Sequence, residues 1–86
     1  MDTSRTLSSI ERSAVEALRA AIRRHRAVAE LVQAGRELDS CAAGEERAGQ
    51  LVERHRVAVV AALDAGLAAG LTAAELDAIC AQEAAR

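Results

Sequence analysis

A row of charged and polar side chains follows the first half of the sequence at three- and four-residue spacing: Arg12, Glu16, Arg19, Arg23, Arg26, Glu30 and Gln33. On an α-helix this spacing places them on one side. Guanidinium groups suit carboxylates because they hydrogen-bond them in pairs. For most of the row the sequence predicts a solvated face with weak ion pairs such as Glu16 with Arg19 and Arg23, each contributing about 0.2–0.5 kcal/mol.

The side chains that could bind a soft metal ion are His25, His55, Cys41 and Cys80. A helical metal site needs two ligands three or four residues apart, and these four residues provide no such pair. We therefore expect no metal, histidines that pack at the edge of the core, and cysteines that act as small buried side chains. Two unpaired thiols favour a reducing compartment.

The composition favours helix along most of the chain. Of the 86 residues, 51% are hydrophobic, none is aromatic and none is proline, and alanine, leucine, glutamate and arginine are strong helix formers. We expect a single all-α domain over residues 1–86, without strands. A domain of this size buries only about 60% of its unfolded surface, so its core should be thin. Without disulfides or metals, self-association is the remaining way to complete it.

Ser8 and Glu11 have the spacing of a capping box and predict the start of a first helix, which we place at residues 8–39. The helix carries an apolar stripe wide enough for two neighbouring helices: Ile10, Ala14, Ala17, Leu18, Ala21, Ile22, His25, Val28, Leu31, Val32, Gly35 and Leu38. About 30 residues of helix would be about 45 Å long, too long for a compact domain of this length. A second copy covering the overhang would give an intertwined homodimer.

The apolar pattern lapses at residues 39–44, where we expect a turn. A second helix is predicted at residues 45–66, with an inner face of Leu51, Val52, His55, Val59, Ala62 and Leu63. Thr72 and Glu75 form a second capping-box spacing and predict a third helix at residues 72–85. Its predicted inward residues are Leu76, Ile79 and Cys80.

Three segments resemble the AroQ-type, all-helical chorismate mutases. The first contains Ser13–Ala14–Val15–Glu16, Arg26, Val32 and Arg36; the second contains Arg47, Leu51 and Val52; the third runs from Leu71 to Cys80. Ser9, Arg36 and Ala48 stand where that family has arginine, lysine and glutamate. The resemblance implies a homodimer of three-helix chains, with active sites between protomers.

The resemblance also implies an activity, a pericyclic rearrangement of chorismate or a related dianionic substrate that needs no cofactor. Such a site must hold two carboxylates and stabilise charge on an ether oxygen. By this resemblance Arg26 and Arg47 would bind the carboxylates and Arg36 would act on the ether oxygen. Glu45 or Glu46 would contact a substrate hydroxyl.

Two other classes of function remain open in the sequence. One is a non-catalytic helical dimer or bundle that mediates protein–protein interaction. The other is DNA binding, because residues 69–76 read like the start of a helix-turn-helix; we expect no nucleic-acid partner, since only residues 81–86 follow Cys80. The net charge of -2 also argues against a nucleic-acid coat. No apolar run predicts a membrane span, and Met1–Ser4 lacks a signal pattern, so we expect a cytoplasmic protein.

Overall fold

The computed structural model describes residues 5–38 and 42–86, with the side chains of 36–38, 42 and 43 left outside the description. These residues form three α-helices and no strand: α1 (Ser9–Leu38), α2 (Ala42–Ala69) and α3 (Ala73–Ala84). The all-α class and the three-helix order are confirmed. The principal extents are 49 × 24 × 17 Å, so the fold is elongated.

α1 and α2 form an antiparallel hairpin, and α3 covers one side of it at the end where α1 begins. The predicted long first helix is confirmed as an uninterrupted element of 30 residues. It starts as expected, because the amide of Glu11 donates to Ser8 Oγ over 3.1 Å and the amide of Ser8 donates to Glu11 Oε1 over 2.9 Å. The capping box at Thr72 and Glu75 is also confirmed, with both of its hydrogen bonds present.

The bounds of the second helix differ from the prediction of 45–66. α2 begins at Ala42 and ends at Ala69, so Gly44 and Gly66 lie inside the helix. The helix stops at Gly70, whose φ of 113° favours glycine, and the amide of Leu71 donates to the carbonyl of Gly66 over 3.0 Å. Of the turn predicted at 39–44, residues 39–41 lie outside the described chain, while 42–44 are helical.

The core is small and lies where all three helices meet. It is built on Leu18, Leu71, Leu76 and Ile79, with Val15, Ile22 and Leu63 among the half-buried side chains packed against it. The inward placement of Leu76 and Ile79 is therefore confirmed. Leu51, predicted on the core face of the second helix, is 41% exposed, so this placement is wrong for the single chain; Ile10 and Leu31 of the apolar stripe of α1 expose 71% and 72% of their surface. α3 has only 12 residues, too few to reach the far part of the hairpin.

Candidate functional site

Two clusters of arginine and carboxylate groups hold α3 against α1. At the start of α3, Arg5 donates to Glu11 Oε2 over 2.7 Å, to Glu75 Oε2 over 3.0 Å and to the carbonyl of Gly70 over 3.2 Å. One guanidinium group thus joins the first turns of α1 and α3 to the end of α2. The hydrogen bond from Arg5, together with the amide of Ser8, lowers the pKa of Glu11 to about 2. Arg5 and the amide of Thr72 also lower the pKa of Glu75.

The second cluster surrounds Glu83, a carboxylate that is only 1% exposed. Arg23 Nε donates to Glu83 Oε1 over 2.9 Å, and Arg19 Nη1 donates to Glu83 Oε2 over the same distance. These bonds, led by that from Arg23, hold the pKa of Glu83 below its ordinary value. Arg19 and Arg23 were expected to pair with Glu16 on a solvated face; they instead bind a carboxylate on another helix.

Arg26, the first of the predicted site residues, lies beside the end of α3, near Glu83. Its guanidinium donates to the carbonyl of Ala84 over 3.0 Å and to the carbonyl of Arg86 over 2.9 Å. The last carbonyl groups of a helix lack partners within the helix, so Arg26 caps α3 in this chain.

The other predicted site residues lie near the opposite end of the hairpin. Arg36 belongs to the last turn of α1, and its side chain lies outside the description. Glu45, Glu46 and Arg47 are exposed in the first two turns of α2. Ten residues of α1 separate Arg26 from Arg36, which is about 15 Å along the helix axis. Within a single chain, Arg36 and Arg47 therefore lie near one end of the hairpin, and Arg26 lies about 15 Å from Arg36 along α1.

The residues considered as metal ligands, for which the sequence predicted no metal site, were His25, His55, Cys41 and Cys80. Both histidines and Cys80 are half-buried, and Cys41 lies outside the described chain. No group of three potential metal-binding side chains occurs within residues 5–38 and 42–86. In the same part of the chain, no helix combines the length and the apolar content that crossing a lipid bilayer requires.

Sequence reasoning missed Arg5 and Glu83. Glu83 follows Ile79 by four residues, and this spacing places it on the inner face of α3, so the signal was a carboxylate at a core position. Arg5 gave no such signal. Gly70 and Glu75 are distant from it in sequence, and Glu11 belongs to the capping box that follows it. The apolar periodicity of a helix does not identify such long-range partners.

A groove runs between α1 and α2 on the surface of the hairpin. At the end where α1 begins it has a volume of about 480 Å³ and is lined by Ser9, Ile10, Ser13, Ala14 and Ala17 of α1 and by Ala65 and Ala69 of α2. Apart from the two serines these side chains are apolar, and all but Ile10 are small, so another helix could approach the hairpin closely here.

Comparison with known proteins gave no match: no protein-family model, no curated protein and no solved structure is similar to this chain.

Proposed function

We propose that this protein is a non-catalytic helical module that works by associating with further copies of itself. The observation that carries the proposal is a set of large apolar side chains left on the surface, each 41–72% exposed: Ile10, Leu31, Leu51, Val57, Val60 and Leu67. Single exposed apolar residues are normal, but six of them beside five buried hydrophobic residues, counted over the part of the chain whose burial is described, are not.

The dimensions of the chain support the same proposal. Its accessible surface is 6004 Å², whereas a compact monomer of 9.0 kDa has about 4,850 Å². Its radius of gyration is 15.6 Å, compared with about 12 Å for a compact domain of this length. The surplus surface is about 1,150 Å², enough for one or two interfaces at the lower end of the usual size range.

Light scattering coupled to size-exclusion chromatography tests self-association. Because the surplus surface is modest, we expect a single-chain mass at about 1 µM and a multiple of it at about 500 µM. The predicted number of copies from the sequence is two. A single-chain mass at every concentration would refute the proposed function.

A second candidate function, that of a chorismate mutase-like isomerase, is supported by one observation. The backbone positions of Arg36 and Arg47 lie on adjacent helices within two turns of the α1–α2 connection. Since Arg26 is at a different level and caps α3, a complete site would need Arg26 from another chain. This isomerase would then depend on the same self-association.

Chorismate itself tests the isomerase. An active enzyme would decrease the absorbance of chorismate, and Arg26→Ala would abolish that activity while leaving the assembly mass unchanged. Arg12→Ala is the matched control, because Arg12 is an exposed arginine of α1 that was not assigned to the site. Absence of both turnover and binding at about 1 mM chorismate would remove this candidate.

A further inference from the structure

The groove side of the hairpin is apolar and basic. Beyond the groove, the same side of each helix is followed by exposed residues spaced seven and four positions apart, and this spacing keeps side chains on one side of a helix. We define the basic groove by six exposed residues: Ile10, Ala17 and Ala65, which line the groove itself, and Arg24, Arg54 and Ala58, which continue its side along the two helices. These six residues include two arginines and no carboxylate.

The two arginines of the basic groove lie at one level along the hairpin. Ala14 and Ala65 line the groove together near its end. Arg24 lies ten residues after Ala14 on α1, and Arg54 lies eleven residues before Ala65 on α2. Because the helices are antiparallel, both positions are about 15 Å from that end, and the two positive charges are neighbours across the groove.

The outer side of α2 has the opposite charge. Six exposed residues follow one another at steps of seven, four, three, four and three residues, and we define them as the acidic ridge: Glu46, Glu53, Val57, Val60, Asp64 and Leu67. The ridge contains three carboxylates and no basic side chain. The flanking Arg56 donates to both oxygens of Glu53 from the edge of the ridge, over 2.9 Å from its Nε atom to Oε2, so three carboxylates stand against one guanidinium group on this side of α2.

We propose that the acidic ridge of one copy lies in the basic groove of a second copy, with the two α2 helices parallel and in register. This proposal rests on the self-association proposed above and names the surfaces that perform it. The charges of the two surfaces are complementary, and four of the large apolar side chains that a single chain leaves exposed lie on them: Val57, Val60 and Leu67 on the ridge and Ile10 in the groove.

The register follows from the order of charged and apolar residues along each surface. In parallel alignment, Glu53 of the incoming ridge lies at the level of Arg24 and Arg54 of the groove. Val60 and Leu67 of the ridge then lie beside the part of the groove between Ala58 and Ile10, where the small side chains leave space. In antiparallel alignment, Glu53 would lie against the apolar end and Leu67 against the arginines.

A two-fold pairing of groove against groove is disfavoured by the same charges. It would bring Arg24 and Arg54 of both copies into one interface with no carboxylate between them. The proposed contact joins two different surfaces, so it is head-to-tail, and every copy can bind one neighbour at each surface. Because the copies are in register, they are not displaced along the helix axis, and the assembly closes as a ring when the rotation between neighbours divides a full turn.

Two complementary variants test this arrangement. Val60→Asp places a charge in the centre of the ridge, and Ala65→Glu places a carboxylate in the groove; both positions are exposed, so the single chain should keep its fold. We expect each variant alone to associate more than about tenfold more weakly than the wild type. Mixed together, they should form a dimer of one copy each, because Val60→Asp retains an intact groove and Ala65→Glu an intact ridge.

The outcomes separate this proposal from the proposed function. A wild type that stays monomeric refutes self-association. A wild type that associates, with variants that are not restored by mixing or with only one variant impaired, refutes the head-to-tail contact and leaves self-association intact. Circular dichroism confirms the helix content of each variant.

The dependence of association on salt tests the charge pairing in the unaltered protein. Raising NaCl from about 50 to about 500 mM should weaken the association severalfold, and no change would contradict the charge pairing.

Discussion

The two halves of the hairpin differ in how they are stabilised. In the half next to α3, residues 5–26 and 59–86, side chains from three helices meet, and every described residue that is buried lies here. In the distal half, residues 27–38 and 42–58, two helices touch along one side only. The same types of residue are available in both halves, but only one half has a third element to bury them.

This difference shows that helix formation and core formation are separate problems for this sequence. Alanine, arginine and glutamate stabilise helix throughout. Burial needs a neighbour, and α3 reaches along α1 only as far as Arg26, which caps it. The distal half of a single chain therefore depends on the helix formers, and its Leu31 and Leu51 stay exposed.

Removing a core side chain should destabilise the protein more than any other change. Such large losses should occur only at positions in the half next to α3. Leu18 is fully buried, so Leu18→Ala is expected to lower the free energy of unfolding by about 2–5 kcal/mol. The matched control is Leu31→Ala on the same helix, where we expect less than about 0.5 kcal/mol in the isolated chain. Urea unfolding at about 1 µM protein measures both. Equal losses would contradict the division into halves.

Acid should act next most strongly, and again on the half that contains α3. Glu11, Glu75 and Glu83 have lowered pKa values in the fold because arginines bind their ionised forms. The unfolded chain therefore takes up protons at a higher pH than the folded one, so their contribution is complete above about pH 5 and is lost as the pH falls towards 2.

The melting temperature measured between about pH 7 and pH 2.5 tests this pH dependence. Glu83→Gln should lower the melting temperature at pH 7 and flatten part of the acid decrease. Glu30→Gln, an exposed carboxylate of the distal half, should leave the profile like that of the wild type. A profile unaffected by Glu83→Gln would contradict the role assigned to the cluster.

Two glycines of α2 provide the smallest and most local comparison. A Cβ at Gly66 would lie 2.8 Å from Leu76 Cδ2 and 3.4 Å from Leu71 Cδ1, whereas a Cβ at Gly49 has no neighbour within 4 Å. Gly49→Ala should stabilise the chain by about 0.5–1 kcal/mol through helix propensity. Gly66→Ala should be less stable than Gly49→Ala by about 1–3 kcal/mol, because the buried leucines must move. Thermal unfolding of both variants checks this order, and equal stabilities would contradict the close packing at Gly66.

The parts of the fold that could be predicted are those set by local chemistry. Both capping boxes join residues three positions apart, and both were read correctly. The inner faces were predicted less well, because the periodicity of a helix reveals which side is apolar and not whether a neighbour covers its whole length. This explains why Leu18 is buried and Leu31, thirteen residues later on the same helix, is not.

The candidate site shows the same limit. Arg26 was selected by resemblance, and its partners in this chain are the carbonyl groups of Ala84 and Arg86, about 60 residues away. The partner of Arg19 and Arg23 is Glu83, also distant in sequence. Whether Arg26, Arg36 and Arg47 share a site stays a prediction, because it depends on a second chain. The charged residues of the groove and the ridge are visible in the sequence. Their assignment to two separate surfaces required the arrangement of the hairpin.

Hydrogen exchange at two protein concentrations tests most directly the claim that the distal half is stabilised by other copies. At about 1 µM, amides of the distal half should exchange much faster than those around Leu18; at about 500 µM, the protection of the distal half should rise, and the groove and ridge residues of the α3 half should gain protection with it. Distal protection that is already high at low concentration and independent of concentration would contradict the account.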